Sequence, residues 1–200
     1  MSAVCNKALS LSAEDLRDKK RLAQTAGTEQ TAATGELCRA LELAERGDGL
    51  AGAAVYAAAA RDRLVGAARL LGEVADILAT GGFSQETAEW YRKLDYDRLY
   101  RSGVGLGEVP HAAELWQVFA LRAATGGPLG ICHDLRDRTV AVAALIDEWL
   151  ARAEGPEALA ALPRIQSAMA DLAAYAQIVA FANKVEPRDP AWLVPQGAVA

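Results

Sequence analysis

The chain has only two histidines, His111 and His133, and both stand near the stretch where a glycine-rich turn runs into a cysteine, GGPLGICHD (126–134). Such a turn, entering a helix, leaves free backbone N–H groups that bind anions and lower a thiol's pKa. Cys132 is then a candidate reactive thiol, with His111 or His133 as its base. Neighbours on a helix point about 100° apart, so Cys132 and His133 cannot simply face one another. The competing reading makes Cys132 a small buried hydrophobe. Glu108-x-x-His111 has the spacing of one half of a di-iron site, but such a site needs two of these motifs and two further carboxylates on facing helices. One is present, and Pro110 sits inside it. A mononuclear centre held by Glu108, His111 and His133 is the metal chemistry that remains.

A second candidate is the segment from Phe83 to Gly107, where five of the twelve aromatics fall between Phe83 and Tyr100. Tyr91, Tyr96 and Tyr100 alternate with Arg92, Lys93, Arg98 and Arg101. Arginine both pairs with anions and stacks on planar groups, so a pocket here would suit a planar or anionic ligand. Its predicted lining is Tyr91, Tyr96, Arg98, Tyr100, Arg101, His111, Cys132 and His133. The alternative is that bulky side chains seal the end of an alanine-lined bundle or make a subunit contact. Glu86, Glu89, Asp95 and Asp97 balance the bases, which argues against a nucleic-acid patch.

The third set is acidic: Glu42-x-x-Glu45 and Glu73-x-x-Asp76, the latter within Gly72–Leu78. These pairs resemble the paired acidic motifs of the all-α nucleoside triphosphate pyrophosphatases. The resemblance is confined to these short stretches. It implies a magnesium-dependent nucleotide hydrolase, with Glu42, Glu45, Glu73 and Asp76 holding the metal between two antiparallel helices. If the second helix is continuous from Gly49, Glu73 stands about 36 Å along it from the turn beside Glu45. The four carboxylates then share an ion only if that helix breaks near Arg61. Without a break, Glu73 and Asp76 are expected to pair with Arg17, Lys19 or Lys20 on the surface.

The elements that must position these groups are helical. Ser12, with Asp15 three residues on, caps a first helix whose buried stripe is predicted as Leu16, Ala23, Ala26, Ala33, Leu37, Leu41 and Ala44. Its middle, 25–35, is rich in threonine and glycine and is expected to bend or open. Arg46 to Gly49 is a turn. The second helix carries Ala57, Ala60, Leu64, Ala67, Leu71, Val74 and Leu78 at steps of three and four, and small side chains predict a close hairpin with the first. A third helix runs from Ser84 to Arg101. A short fourth starts at Pro110 and ends at Thr125, stopped by Gly126-Gly127-Pro128. A fifth spans Cys132–Ala153. The last presents Leu162, Ile165, Met169, Leu172, Ala176 and Val179, with Pro163 expected to kink it or mark its start. Pro187, Pro190 and Pro195 predict an extended tail anchored by Trp192 and Leu193.

No strand-like alternation occurs, so the expected fold is all-α and one domain. It is predicted as an antiparallel four-helix bundle of two long helical hairpins (12–80 and 131–184), with a two-helix aromatic-rich insert (82–130) and an extended C-terminal tail (185–200). The 200 residues carry a net charge of −5, which disfavours nucleic acid and anionic membrane. Cys5, Cys38 and Cys132 are scattered, which suits reduced thiols and a cytoplasmic location. Uncharged runs are too short for the roughly twenty residues of a spanning helix. No complete catalytic constellation, phosphate loop or metal set is present. The function expected first is therefore a non-catalytic binding or assembly protein that forms homo-oligomers or docks a protein partner. The alternative is an enzyme or small-molecule or cofactor binder with a pocket between residues 82–134 and the bundle. The nucleotide hydrolase comes third. No particular cofactor follows from the residues.

Overall fold

The computed structural model describes residues 11–46, 50–81, 112–153 and 157–182. They form four helices: α1 (Ala13–Glu45), α2 (Leu50–Gly81), α3 (Ala112–Leu150) and α4 (Glu157–Ala182), with no strand among the described residues. The fold is all-α. The predicted helix 84–101, the Pro110 start, the turn glycines 47 and 49 and the tail with Trp192 and Leu193 lie outside the described residues.

α1 opens on the expected capping box. Asp15 N–H donates to Ser12 Oγ at 3.0 Å, and the Ser12 N–H donates back to Asp15 Oδ2 at 3.2 Å. Its weak middle neither bends nor opens in backbone angle, for the helix is unbroken over 33 residues. Thr25, Thr28, Thr31 and Thr34 each turn their hydroxyl back onto the carbonyl four residues earlier, at 2.9–3.1 Å. The side chains that lower helix propensity are thus satisfied within the helix itself.

The buried stripe of α1 is Leu22, Ala26, Gln30, Ala33, Leu37, Ala40, Leu41 and Ala44. The expectation for Leu16 and Ala23 fails: both are exposed. On α2 the predicted seam holds, with Ala57, Ala60, Leu64, Ala67, Leu71 and Val74 buried and Leu78 half-buried. α1 lies along α2, α2 against α3, and α3 against α4, while α1 touches α4 more lightly. Between α1 and α2, Leu43 meets Gly52, Arg63 pairs with Glu29 at 3.0 Å, and Leu11 covers Gly81. These pairs fall in opposite sequence order. At Gly81 a Cβ would sit 2.7 Å from the Leu11 side chain, so any larger residue there would require Leu11 to shift.

The predicted stop at Gly126-Gly127-Pro128 is narrower than expected. Only Gly127 leaves helical geometry, at φ 55° and ψ −147°, and α3 resumes at once with Pro128 instead of at Cys132. Proline fits there because the first residues of a helical segment need no intrahelical N–H partner. The break is bridged by side chains: Asp134 accepts from Arg138 at 3.1 Å and pairs with Arg122, from before the break, at 3.5 Å. Before the break, Leu115, Trp116, Phe119 and Ala123 are buried in the common core. α4 starts six residues ahead of Pro163, so the proline does not mark its start. Trp149 Nε1 donates to the Ala158 carbonyl at 2.9 Å and ties the end of α3 to the start of α4.

The backbone at Gly127 is one that L side chains rarely adopt. Gly127→Ala is expected to lower unfolding free energy by about 1–3 kcal/mol. Gly126→Ala, where a Cβ meets nothing within 4 Å, should be neutral or gain up to about 1 kcal/mol from helix propensity. Urea denaturation of the two variants checks the contrast.

Candidate functional site

A cavity of about 220 Å³ lies where all four helices converge. Each helix gives it one stripe. α1 contributes Lys19, Ala23, Gly27 and Gln30, and α2 contributes Leu71, Val74 and Leu78. α3 supplies Phe119 before its break and Pro128, Ile131, Cys132 and Leu135 after it, while α4 adds Ala176, Val179 and Ala180. The steps of three and four within each set are those of one helix face. The space exists because the facing residues are small: glycine and alanine on α1, alanine on α4. At Gly27 nothing lies within 4 Å of where a Cβ would sit. Ala23 and Ala180 are exposed and Lys19 is half-buried, so they form the mouth, while Gln30, Leu71, Phe119, Ile131 and Cys132 are buried.

The polar groups of the wall are mostly engaged. Gln30 is buried, and its Nε2 donates to Thr139 Oγ1 at 2.9 Å. That hydroxyl in turn donates to the Leu135 carbonyl at 2.7 Å. Cys132 Sγ donates to the Leu71 carbonyl at 3.3 Å. Burial pushes the Cys132 thiol up from 9.0 to about 11, against smaller lowering effects of the Arg136 and Lys19 charges. A protonated, hydrogen-bonded thiol is a weaker nucleophile than a thiolate. The free N–H groups of a helix start do not reach it either, because the helix resumes at Pro128, a full turn earlier.

The remaining predicted site residues divide in two. Tyr91, Tyr96, Arg98, Tyr100, Arg101, Glu108 and His111 lie outside the described residues. His133 is half-buried next to Cys132 and does not line the cavity. Glu42 and Glu45 are exposed at the end of α1, and Glu73 and Asp76 stand far along α2, which is continuous through Arg61. From Leu50 to Glu73 that distance is about 35 Å at 1.5 Å per residue. Glu73 pairs with Arg69 on its own helix, not with Arg17, Lys19 or Lys20 on α1. Among the described residues no group of three or more His, Cys, Asp or Glu side chains could hold a metal ion.

Two further features were not foreseen. Lys19, Gly27 and Gln30 belong to the cavity, and of these Gln30 had a readable signal, being a polar residue in step with Ala26, Ala33 and Leu37. Tyr175 is fully buried beneath Arg138, whose guanidinium carbon lies 4.5 Å from the ring centre. Its hydroxyl closes no well-formed hydrogen bond. Burial, followed by the adjacent Asp134, raises its pKa far above the ordinary phenol value. This cluster joins α3 to α4.

A wider recess of about 270 Å³ is lined from two helices only, by Leu41, Ala44 and Glu45 of α1 and Leu159, Leu162, Pro163 and Gln166 of α4. Of the predicted ligand residues, Glu45 lies on its wall. No helix among the described residues is long and apolar enough to cross a membrane. No known protein family, curated protein or solved structure matches the chain.

The state of Cys132 can be checked chemically. In native protein at pH 8, iodoacetamide should label exposed Cys38 promptly and buried Cys132 only after denaturation, with peptide mapping as the readout. The linkage has a definite sign. Above pH 9.0 the unfolded chain releases the Cys132 proton first, so stability falls as pH rises from 9.0 towards 11. Cys132→Ala should lack that share of the loss in denaturation curves across the window.

Proposed function

We propose that the chain is a non-catalytic helical binding protein that takes a small, largely apolar ligand into the cavity between its helices. Its architecture in this reading is an antiparallel four-helix bundle, with α1 and α2 as one hairpin and the second half of α3 with α4 as the other. The opposite order of the α1–α2 pairs and the Trp149–Ala158 bond at the α3–α4 turn support that arrangement. The observation that carries the function is the cavity itself. Space of about 220 Å³ lined mainly by apolar side chains from four helices suits an apolar guest. An aliphatic cavity of about 150 Å³ already binds benzene.

The non-catalytic half of the reading rests on Cys132, whose protonated thiol is committed to the Leu71 carbonyl. A reducing, cytoplasmic setting belongs to the proposal and draws on the free thiols Cys38 and Cys132. Self-association or docking of a protein partner has weaker support. Among the described residues the exposed large aliphatics are Leu16 on α1, Val55 and Val65 on α2, Leu121 and Val140 on α3 and Leu159 on α4. Spread over every helix in this way, they are ordinary surface. Assembly through them would show as a native mass above 21.1 kDa.

The test uses thermal unfolding with a panel of small apolar probes such as toluene and indole. A probe at a hundred times its dissociation constant should stabilise the protein by about 2.7 kcal/mol, or about 5–10 °C. Gly27→Leu should leave the chain folded, because space is open there and leucine favours helix, and should abolish the shift by occupying the cavity. Equal shifts in both proteins would place binding elsewhere.

A further inference from the structure

Among the described polar side chains on the cavity wall, one is not engaged by another described residue. Gln30 is bonded to Thr139, and Cys132 is bonded to the Leu71 carbonyl. Lys19 has no ion-pair partner among the described residues. Three acids near it in sequence or on α2 are used elsewhere, and exposed Asp76 forms no ion pair with it. Asp15 serves the Ser12 cap, Asp18 holds Arg21 at 3.4 Å, and Glu73 holds Arg69. Among the described residues no acid lines the cavity, and the others on its wall are apolar or glycine. Lys19, a half-buried residue at the mouth of an apolar space, thus carries a charge that no described acid pairs with. Its field reaches the interior, where it acts on the Cys132 thiol.

Shape narrows the chemistry further. From Lys19 to Gln30, α1 lines the cavity over eleven residue steps, about 16 Å at 1.5 Å per residue. An extended hydrocarbon chain with its polar end at Lys19 can follow that stripe into the space of about 220 Å³. On the reading of the cavity as a binding site, we infer that its ligand is a medium-chain carboxylic acid. The hydrocarbon tail would lie in the space between α1, α2, α3 and α4, with the carboxylate held at the mouth by the Lys19 ammonium. The tail supplies the apolar burial, and the charge-assisted hydrogen bond to Lys19 supplies orientation and preference for an anion.

Isothermal titration of the full-length protein with octanoate and with 1-octanol separates the parts of this argument. The expected result is octanoate binding about tenfold tighter than octanol, with Lys19→Met removing that advantage and leaving octanol binding unchanged. Methionine keeps the helix propensity and the length of the side chain, and Lys19→Arg should restore the preference. Gly27→Leu should weaken both ligands. If octanoate and octanol bind alike and Lys19→Met changes neither, the carboxylate assignment is overturned while the cavity stands as a binding site. If neither ligand binds, both the assignment and the binding role fail.

Discussion

A helix faced with alanine must either sit close to its neighbour or leave space between, and this protein does both. Along most of the α1–α2 seam, Ala33, Ala40 and Ala44 on one helix and Ala53, Ala57, Ala60 and Ala67 on the other are almost wholly buried. Small side chains permit that approach and fill the little volume between the axes. Towards the start of α1 the partners change. There α3 and α4 also enter, and the residues facing inward are Ala23, Gly27 and Ala176 where larger side chains would be needed to fill the gap. The cavity is the direct result of small residues at a four-helix junction.

Polar contacts then fix which helices meet there. The Gln30–Thr139–Leu135 chain of hydrogen bonds joins α1 to α3 inside the core. Left half-satisfied, such a pair would cost more than an apolar substitute, so it specifies register as much as stability. Asp134 does comparable work across the break at Gly127 by holding Arg122 and Arg138 together. The surface pairs Arg61–Asp147 at 2.8 Å and Arg63–Glu29 at 3.0 Å add contacts between helices. Each is exposed enough to contribute under about 1 kcal/mol.

Much of this was legible from spacing. The three-and-four steps of Ala57 to Val74 and of Leu162 to Leu172 mark faces that are indeed buried, because helical period survives even in alanine-rich chains. The α1 stripe was misread for a physical reason. Passing over polar Gln30 leaves Ala33 and Ala26 seven residues apart, and the next steps back fall on Ala23 and Leu16. With Gln30 included, steps of four lead to Leu22, which is the buried residue. Composition in 25–35 suggested a weak helix, but threonine hydroxyls bonded to the preceding turn need no opening. Three consecutive breakers at 126–128 suggested a long stop, whereas Gly127 alone absorbs the change in direction. The cavity was not legible at all, since empty space is set by what four separate stripes fail to fill. Among the described candidate ligand residues Cys132 lines it, with its thiol donating to the Leu71 carbonyl.

The account depends on that space being real and open to a guest. Crystals of the protein equilibrated under xenon give the most direct test, because xenon occupies apolar cavities without needing any particular chemistry. The expected result is one strong xenon peak among Val74, Ile131 and Ala176, absent from Gly27→Leu crystals. Continuous side-chain density across that position, with no xenon bound, would contradict the account.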